Sequence, residues 1–599
     1  MKFGVRSIVL ACAAAASTFA MAATPSVTYT PGTYSATVNG HNAPLTVTVT
    51  VGPNRIEKID TSKNLETVGV GKVALEKMTE KVMQYQSLGV DAITGATVTS
   101  SAFYTAMTQC LEQAKVSDMK AMKKKVEQPA VGSATYDADV VIIGGGGAGL
   151  ASAIAAHQAG AKKVIVLEKL GILGGSTNVS EGALNAVDPE RQTKQGIEDS
   201  VQKFYDQTMK GGHDVGTPEL VAFLTKHSID AIHWMESLGV EFKDEVGTAT
   251  GALWQRSHYP ATPSGNHYIA KFEKFIAGTN GAIEVLTDTQ ALDIVMKDGK
   301  VAGVKAKHQK QDVTVNADAV VIATGGFGAN VKFRQRVNTG VWKHVVLDNK
   351  IGSTNMQKAA QGEGLIMGEK AGAALIGLSD IQLHPCGTPG TGLMENIRTS
   401  GRNRVFVNET GARFVNEGAA RDVLANAIIE QPNSTYWVVV NNIRYPSRDF
   451  VDSNGATIRD MVALGSVVEA NTLEELAQKT GMKVENLKKS IEQYNAVVSG
   501  KAADPFGFKA DNKADKLLRS GPWYACKKVP TVHHTMGGLA INVNAQVLND
   551  KGEPIPGLYA AGEVTGGIHG SNRLGGNAIA DCMTFGRVAG TQAAQYEAK

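Results

Sequence analysis

At 599 residues the chain is too long for one hydrophobic core, so three or four domains are expected. A hydrophobic fraction of 43% and a charged fraction of 20% are those of an ordinary globular protein. A net charge of +3 makes no call for a nucleic-acid partner.

Residues 1–22 read as a signal peptide: Lys2 and Arg6 precede an apolar stretch, and Ala20-Met21-Ala22 offers a cleavage site before Ala23. The apolar stretch is too short to span a bilayer, and no later run reaches about 18 apolar residues. An exported protein of the periplasm is expected. Cys12 offers a lipoprotein alternative, on an apolar stretch that would be very short. The other cysteines, Cys110, Cys386, Cys526 and Cys582, form no C-x-x-C and no C-x-x-C-H. Their wide spacing speaks against haem attachment, a disulfide framework or a metal site.

Residues 27–117 form a first unit. Residues 32–51 alternate in strand fashion about a turn at Asn39-Gly40, and residues 73–85 and 100–114 have helical patterns. Residues 118–136, with clustered lysines, Pro129 and small residues, read as a linker. A second unit opens at Asp137 with an apolar strand (138–143), glycines, a helix (148–160) and a second strand (163–167), the start of a doubly wound α/β domain. Nucleotide-binding signals bracket residues 380–530 but are absent inside them. The expected order is therefore a Rossmann-like domain over 137–379 and 531–599, with an α+β cap inserted at 380–530 and a small α+β domain ahead of both.

The dinucleotide signal is Gly144-x-Gly146-x-x-Gly149, following a strand and opening a helix, with Glu168 ending the next strand. The first glycine makes the turn, the second admits the pyrophosphate and the third lets helix and strand pack closely. Glu168 is placed to accept hydrogen bonds from a ribose. Four more turns point to FAD, bound non-covalently, rather than NAD. They are Gly174-Gly175-Ser176, Ala323-Thr324-Gly325-Gly326, the strand 557–560 running into Gly562-Glu563, and Arg573-Leu574-Gly575-Gly576-Asn577-Ala578.

With His384-Pro385, Arg413-Phe414-Val415-Asn416-Glu417, Arg421-Asp422, His533-His534-Thr535-Met536-Gly537-Gly538 and His569-Gly570-Ser571-Asn572-Arg573, residues 137–599 resemble the fumarate reductase/succinate dehydrogenase flavoprotein superfamily. The resemblance is strongest to its soluble periplasmic flavocytochrome c fumarate reductases and urocanate reductases. It implies Arg421 as proton donor, His534 and Arg573 as the grip on a substrate carboxylate, and His384 at the far end of the substrate. Two such groups on a carboxylate withdraw electrons from the adjacent C=C, so that hydride can add to one carbon while the other takes a proton. An arginine stays protonated at ordinary pH, so it can serve only if a relay reloads it. The family's relay spacing, E-x-x-R, fits Glu395 and Arg398; an ungapped count back from Arg413 falls instead on Asn396-Ile397. In the first register Met394 stands where the family has a threonine that helps hold a second carboxylate, and His384 stands where urocanate reductases have tyrosine. Fumarate-like, acrylate-like and aryl acrylate substrates stay open.

In the first unit, Asp91-Ala92-Ile93-Thr94-Gly95-Ala96-Thr97 resembles the motif of FMN-binding domains that take FMN through a phosphoester bond to threonine. The resemblance implies covalent FMN on Thr97, attached by a flavin transferase, with electrons arriving from a membrane-linked or periplasmic cytochrome. The function expected is a respiratory reductase of a small unsaturated carboxylate. A flavin dehydrogenase or oxidase of a carboxylate or ketosteroid-type substrate, or a flavin electron carrier, are the alternatives.

Overall fold

The computed structural model describes residues 25–597 apart from 128–131, 263, 357, 453–455 and 511–513. The expected leader (1–22), with Cys12, and Pro129 of the expected linker lie outside the described residues. The Thr/Val alternation of the first unit folds into an antiparallel hairpin, Gly32–Asn39 against Pro44–Val51, with Ile56–Asp60 added beside it. Leu45, Val47, Val49 and Val51 point inward and are at most 2% exposed. Each contributes roughly 1.5–3 kcal/mol, an upper bound because the unfolded chain already hides some area. The intervening residues face outward as hydroxyl pairs, Thr33–Thr50, Ser35–Thr48 and Thr37–Thr46.

Two helices, Gly71–Tyr85 and Thr97–Gln113, cover the inner face. This small core extends to Leu170 and Ile172 of the second unit. Hydrogen bonds from Lys77 Nζ to the Gly171 carbonyl (2.5 Å) and from Gly171 N to the Thr94 carbonyl (3.2 Å) tie the two units together. Within the stretch read as linker, Asp118 caps a short helix, Met119–Lys123.

The main sheet has six strands in the order Gln546–Leu548, Pro554–Ala560, Ala319–Ile322, Val140–Ile143, Val164–Leu167, Ile283–Leu286, parallel except for the first. Val140–Ile143, Val164–Leu167 and Ala319–Ile322 are buried throughout, as a parallel sheet covered on both faces requires. The C-terminal helix Asn577–Ala594 packs on the first helix after the sheet's first strand, Gly147–Gln158. Only small residues permit that approach: a Cβ on Gly590 would lie 2.0 Å from the Ser152 carbonyl oxygen.

Inserted between strands of this unit is a five-stranded sheet of Ile381–Gly387, Trp523–Thr535, Tyr436–Asn441, Val405–Val407 and Val468–Ala470. Helices such as Arg421–Ile429 and Val484–Val498 complete it. The doubly wound sheet, inserted α+β unit and small leading α+β unit are the architecture the sequence implied. Among the described residues no helix is long and apolar enough to cross a membrane.

Candidate active site

Gly144 turns the chain at φ +108°, where a side chain would meet the Ala323 carbonyl at 2.4 Å. A Cβ on Gly149 would stand 1.9 Å from the Gly144 carbonyl oxygen, so this glycine serves the packing of helix on turn. Gly146 differs: its nearest atom in this test is the Gly174 carbonyl at 3.9 Å, leaving open space beside the helix N-terminus. Helix Gly147–Gln158 has no side-chain cap, and neither has helix Asn577–Ala594 behind Gly576 (φ +90°). The first N–H groups of helix Gly147–Gln158 are left for an anion, whereas Asn577 N already donates to the Leu574 carbonyl at 3.2 Å.

A narrow cavity of about 120 Å³ runs from Gly144 and Gly146 past Glu168, Gly174, Gly175 and Ser176 to Ala323, Thr324, Gly325 and Glu563. Thr324, which lines it, has a buried hydroxyl with no partner. Glu168 accepts from Gly145 N and Leu170 N, both at 2.7 Å, and each oxygen keeps a further acceptor site for a ribose hydroxyl. This donor set fits a dinucleotide. Gly326 and Asn577 act one step back. A Cβ on Gly326 would strike the Thr535 hydroxyl at 2.0 Å, and the Asn577 side chain accepts from Asn185 Nδ2 at 2.8 Å, beside the Gly575–Gly576 turn. Ala578 lines a second, larger cavity.

That cavity, of about 920 Å³, brings together Arg421, Arg398, His384, His534, Arg573 and Glu563. Strand Trp523–Thr535 shifts register against Ile381–Gly387 after His534, so one extra residue is accommodated at His533. The bulge turns both His533 and His534 toward the cavity. Arg421 opens its helix, where the helix dipole disfavours a cation by about 0.3–1 kcal/mol. Its Nε donates to the Thr250 carbonyl (3.1 Å) and its Nη1 to Gln382 Oε1 (2.9 Å). Burial pushes this guanidinium down to about 10.

Gln382 Nε2 donates in turn to the Arg573 carbonyl and to Asn572 Oδ1, both at 2.8 Å. Arg573 is 5% exposed; its Nη1 donates to the Leu574 carbonyl (3.2 Å) and its Nε has no partner. Burial, then the neighbouring Arg421, pushes it well below the ordinary arginine value. Among the described residues neither guanidinium has a carboxylate within salt-bridge distance. Two buried, adjacent, unpaired cations are costly unless an anion joins them.

His534 and His384 are both held neutral, first by burial and then by the surrounding cations, and the Nδ1 of each has no partner. The His534 ring meets His569 edge-on at 5.2 Å, and His569 Nε2 lies 3.1 Å from Asp581. The His384 ring lies 4.6 Å from His533, whose Nδ1 pairs with the Thr354 hydroxyl at 2.7 Å.

Glu395 and Arg398 diverge. Asn396 between them takes φ +62°, and Ile397 is buried in the cap core. The Glu395 carboxylate meets His41 Nε2 of the first unit at 3.2 Å, at the cavity's edge. Arg398 Nη1 pairs with Glu181 at 3.1 Å, and the Ser400 hydroxyl donates to the same oxygen at 2.7 Å. Burial pushes the Glu181 carboxyl up, but Arg398, Ser400 and Arg421 outweigh it and hold the group below its ordinary value. Glu181, Gln382 and Lys528, all buried or cavity-lining, were not singled out from sequence. The only local sign was a carboxylate six residues past the Gly174-Gly175 turn.

Thr97 is exposed and stands first in helix Thr97–Gln113, after Gly95 at φ +98°. Its neighbours turn inward: the Thr99 hydroxyl donates to Glu66 (2.6 Å), and the Ser100 hydroxyl accepts from Ile93 N (3.2 Å). Thr97 and His41 line the same large cavity as Arg421 and Arg573. An uncapped helix N-terminus beside a free hydroxyl suits a phosphate ester.

Comparison with known proteins finds a family match for each of the two units. The FAD binding domain family matches residues 139–579, and the FMN-binding domain family matches residues 40–112. The chain is 36% identical to the urocanate reductase of Eggerthella lenta, over 94% of this chain and 92% of that protein. It is also 36% identical to the NADH:acrylate oxidoreductase of Vibrio harveyi, over 95% of this chain but only 61% of that longer protein. An open conformation of a flavocytochrome c3 fumarate reductase superposes with a TM-score of 0.63 at 34% identity, covering 78% of this chain and 79% of the other.

Proposed function

Because the chain belongs to the FAD binding domain family and carries an FMN-binding domain ahead of it, we propose that it reduces the C=C bond of a small α,β-unsaturated carboxylate. The observation that carries this reading is the pair of buried guanidiniums, Arg421 and Arg573, the first tied through Gln382 to the backbone carbonyl of the second, and both lacking any carboxylate partner among the described residues. FAD on the Gly144–Gly149 turn would supply hydride from its N5 to the β-carbon, replenished by electrons through FMN on Thr97. Arg573, through its free Nε, and the neutral His534 grip the substrate carboxylate and draw electron density from the alkene. Arg421 delivers the proton to the α-carbon, helped by a burial that weakens its hold on that proton.

Arg398 and Glu181 lie on the inner side of the relay that reloads Arg421, and Glu395 with His41 stands on its outer side. His384 faces the substrate's far end. The leader-like residues 1–22 support a periplasmic location, where a membrane-linked or periplasmic cytochrome would be the electron donor and a flavin transferase would attach FMN.

The test is anaerobic oxidation of reduced viologen dye by the flavin-loaded protein with fumarate, urocanate, acrylate, methacrylate, itaconate and cinnamates. Oxidation by at least one acid is expected. Fully loaded flavins that no acid reoxidises would overturn the reading.

A further inference from the structure

Helix Val201–Gly211 runs into Gly212, yet the left-handed turn that follows it falls on His213 and Asp214, at φ +59° and +58°. Residues with a Cβ are strained there, although Asp and His bear it better than most. Gly212, at φ −86°, is needed for packing instead: a Cβ on it would lie 2.7 Å from the His569 carbonyl oxygen. Ser571 N donates to the Gly212 carbonyl at 3.0 Å, and Asn572 Nδ2 to the Gly211 carbonyl at 3.2 Å. The loop is therefore docked on the turn that carries Arg573.

From this loop the His213 ring reaches the inserted unit. Its Nδ1 lies 2.7 Å from the Ser571 hydroxyl, and its Nε2 lies 3.1 Å from Oδ2 of Asp422, the residue after Arg421. A carboxylate only accepts, so Nε2 donates to it. The Ser571 hydroxyl can donate to Nδ1 of a neutral ring or accept from a charged one, so both contacts hold in either charge state. Asp422 Oδ1 accepts from Asn572 Nδ2 at 3.4 Å, and Asn572 Oδ1 accepts from the Gln382 amide that also holds Arg421. Arg421, Gln382, Asn572 and Asp422 thus close a ring, and His213 is fastened to its outer edge.

Stability does not account for this arrangement. The His213 side chain is 47% exposed, and an exposed ion pair returns less than two non-glycine residues at positive φ cost. Strain of this kind clusters at functional sites. Arg421 comes from the inserted unit and Arg573 from the dinucleotide unit, so their placement depends on contacts that cross between the two.

Resting on the reductase reading above, we propose that His213 is a positioning residue: its ring clips Asp422, at the start of the Arg421 helix, to Ser571 in the Arg573 turn.

The test is anaerobic steady-state reduction, with reduced viologen dye, of whichever of fumarate, urocanate and acrylate the wild type reduces fastest. His213→Gly is expected to lower kcat about tenfold or more with KM within about twofold, because misplacement harms the transition state more than binding. Glycine takes positive φ without strain, so Tm should equal or exceed that of wild type, with flavin content unchanged. His213→Gln keeps an N–H at the reach of Nε2 and should hold kcat within about threefold of wild type. His213→Asn reaches only Ser571 and should behave like the glycine variant. Wild-type kcat in His213→Gly overturns the inference, as does a fall in kcat that comes with a lower Tm or lost flavin. Equal kcat in the Asn and Gln variants also overturns it, because the Asp422 contact would then not be the one that matters. Failure of the reductase reading looks different: no acid reoxidises the reduced wild-type flavins, and this inference falls with it.

Discussion

Arg421 Nη1 donates a 2.9 Å hydrogen bond to Gln382 Oε1, and the other end of that amide holds the Arg573 carbonyl. A neutral amide therefore ties the Arg421 guanidinium to the backbone of the residue that carries the second cation. It does so without adding a carboxylate, which would neutralise Arg421 and raise its proton affinity.

Replacing the proton donor should abolish turnover without emptying the site. For Arg421→Ala, reoxidation of reduced flavin by substrate is expected to fall by a factor of about 10²–10⁴, with FAD and FMN content unchanged. Stopped-flow absorbance under anaerobic conditions measures it. Wild-type rates in this variant would remove Arg421 from the reaction.

Gln382→Leu tests positioning rather than chemistry. It keeps both guanidinium groups in the protein but frees Arg421 Nη1 and orphans the Arg573 carbonyl. A loss of about tenfold or more in kcat with little change in KM is expected, since misplacement harms the transition state more than binding. A pure KM effect would show that the amide serves substrate binding instead.

Thr97→Ala should yield protein with FAD but no attached FMN. Thr97 is exposed, while the nearby Thr99 and Ser100 hydroxyls are committed to inward hydrogen bonds. Fluorescence of the denatured protein band distinguishes attached from released flavin. A fluorescent band in the variant would point to another attachment residue.

Glu563 gives a pH dependence with a definite sign. Burial, only partly offset by the Thr535 N–H, Arg573 and the Thr535 hydroxyl, raises its carboxyl from 4.5 to about 7, with Asp581 adding to the rise. Between those values the folded protein holds a proton that the unfolded chain has lost, so stability contributed by this group falls as pH rises from about 4.5 through 7. At pH 8 the ionised form destabilises by at most about 3 kcal/mol. Glu563→Gln should therefore raise Tm at pH 8 more than at pH 5, measured on flavin-free protein by thermal unfolding. An equal shift at both pH values would mean that the carboxyl titrates normally.

The parts of this site legible in the sequence are those whose function is local. Gly144, Gly146 and Gly149 constrain one turn, so spacing alone located them, whereas Thr97 was marked by the resemblance of its motif to FMN-binding domains. Arg398 and Glu181 lie 217 positions apart and meet only through tertiary packing. Glu395 and Arg398 looked like one unit at E-x-x-R spacing, but a left-handed Asn396 sends them to different partners. Gln382 and Lys528 are aimed by the pairing of Ile381–Gly387 with Trp523–Thr535 and by its bulge, which no local pattern announces. In the fold, Ile56–Asp60 escaped notice because it buries a single residue, Ile56, among charged ones. The helix Met119–Lys123 was hidden by its lysines, with only Met122 turned inward.

The glycines of the dinucleotide turn should separate stability from cofactor binding. A methyl at Gly149 would lie 1.9 Å from a backbone oxygen that cannot move without breaking the turn, whereas one at Gly146 meets nothing closer than 3.9 Å. Gly146 has φ −78°, a backbone that alanine adopts without strain. Gly149→Ala should lower stability by more than about 2 kcal/mol or prevent folding. Gly146→Ala should leave the flavin-free protein within about 0.5 kcal/mol of wild type yet bind FAD poorly, because its methyl occupies the space beside the uncapped helix N-terminus. Chemical denaturation of apoprotein and FAD titration measure the two effects separately. A Gly146→Ala protein that takes up FAD normally would show that the pyrophosphate is held elsewhere.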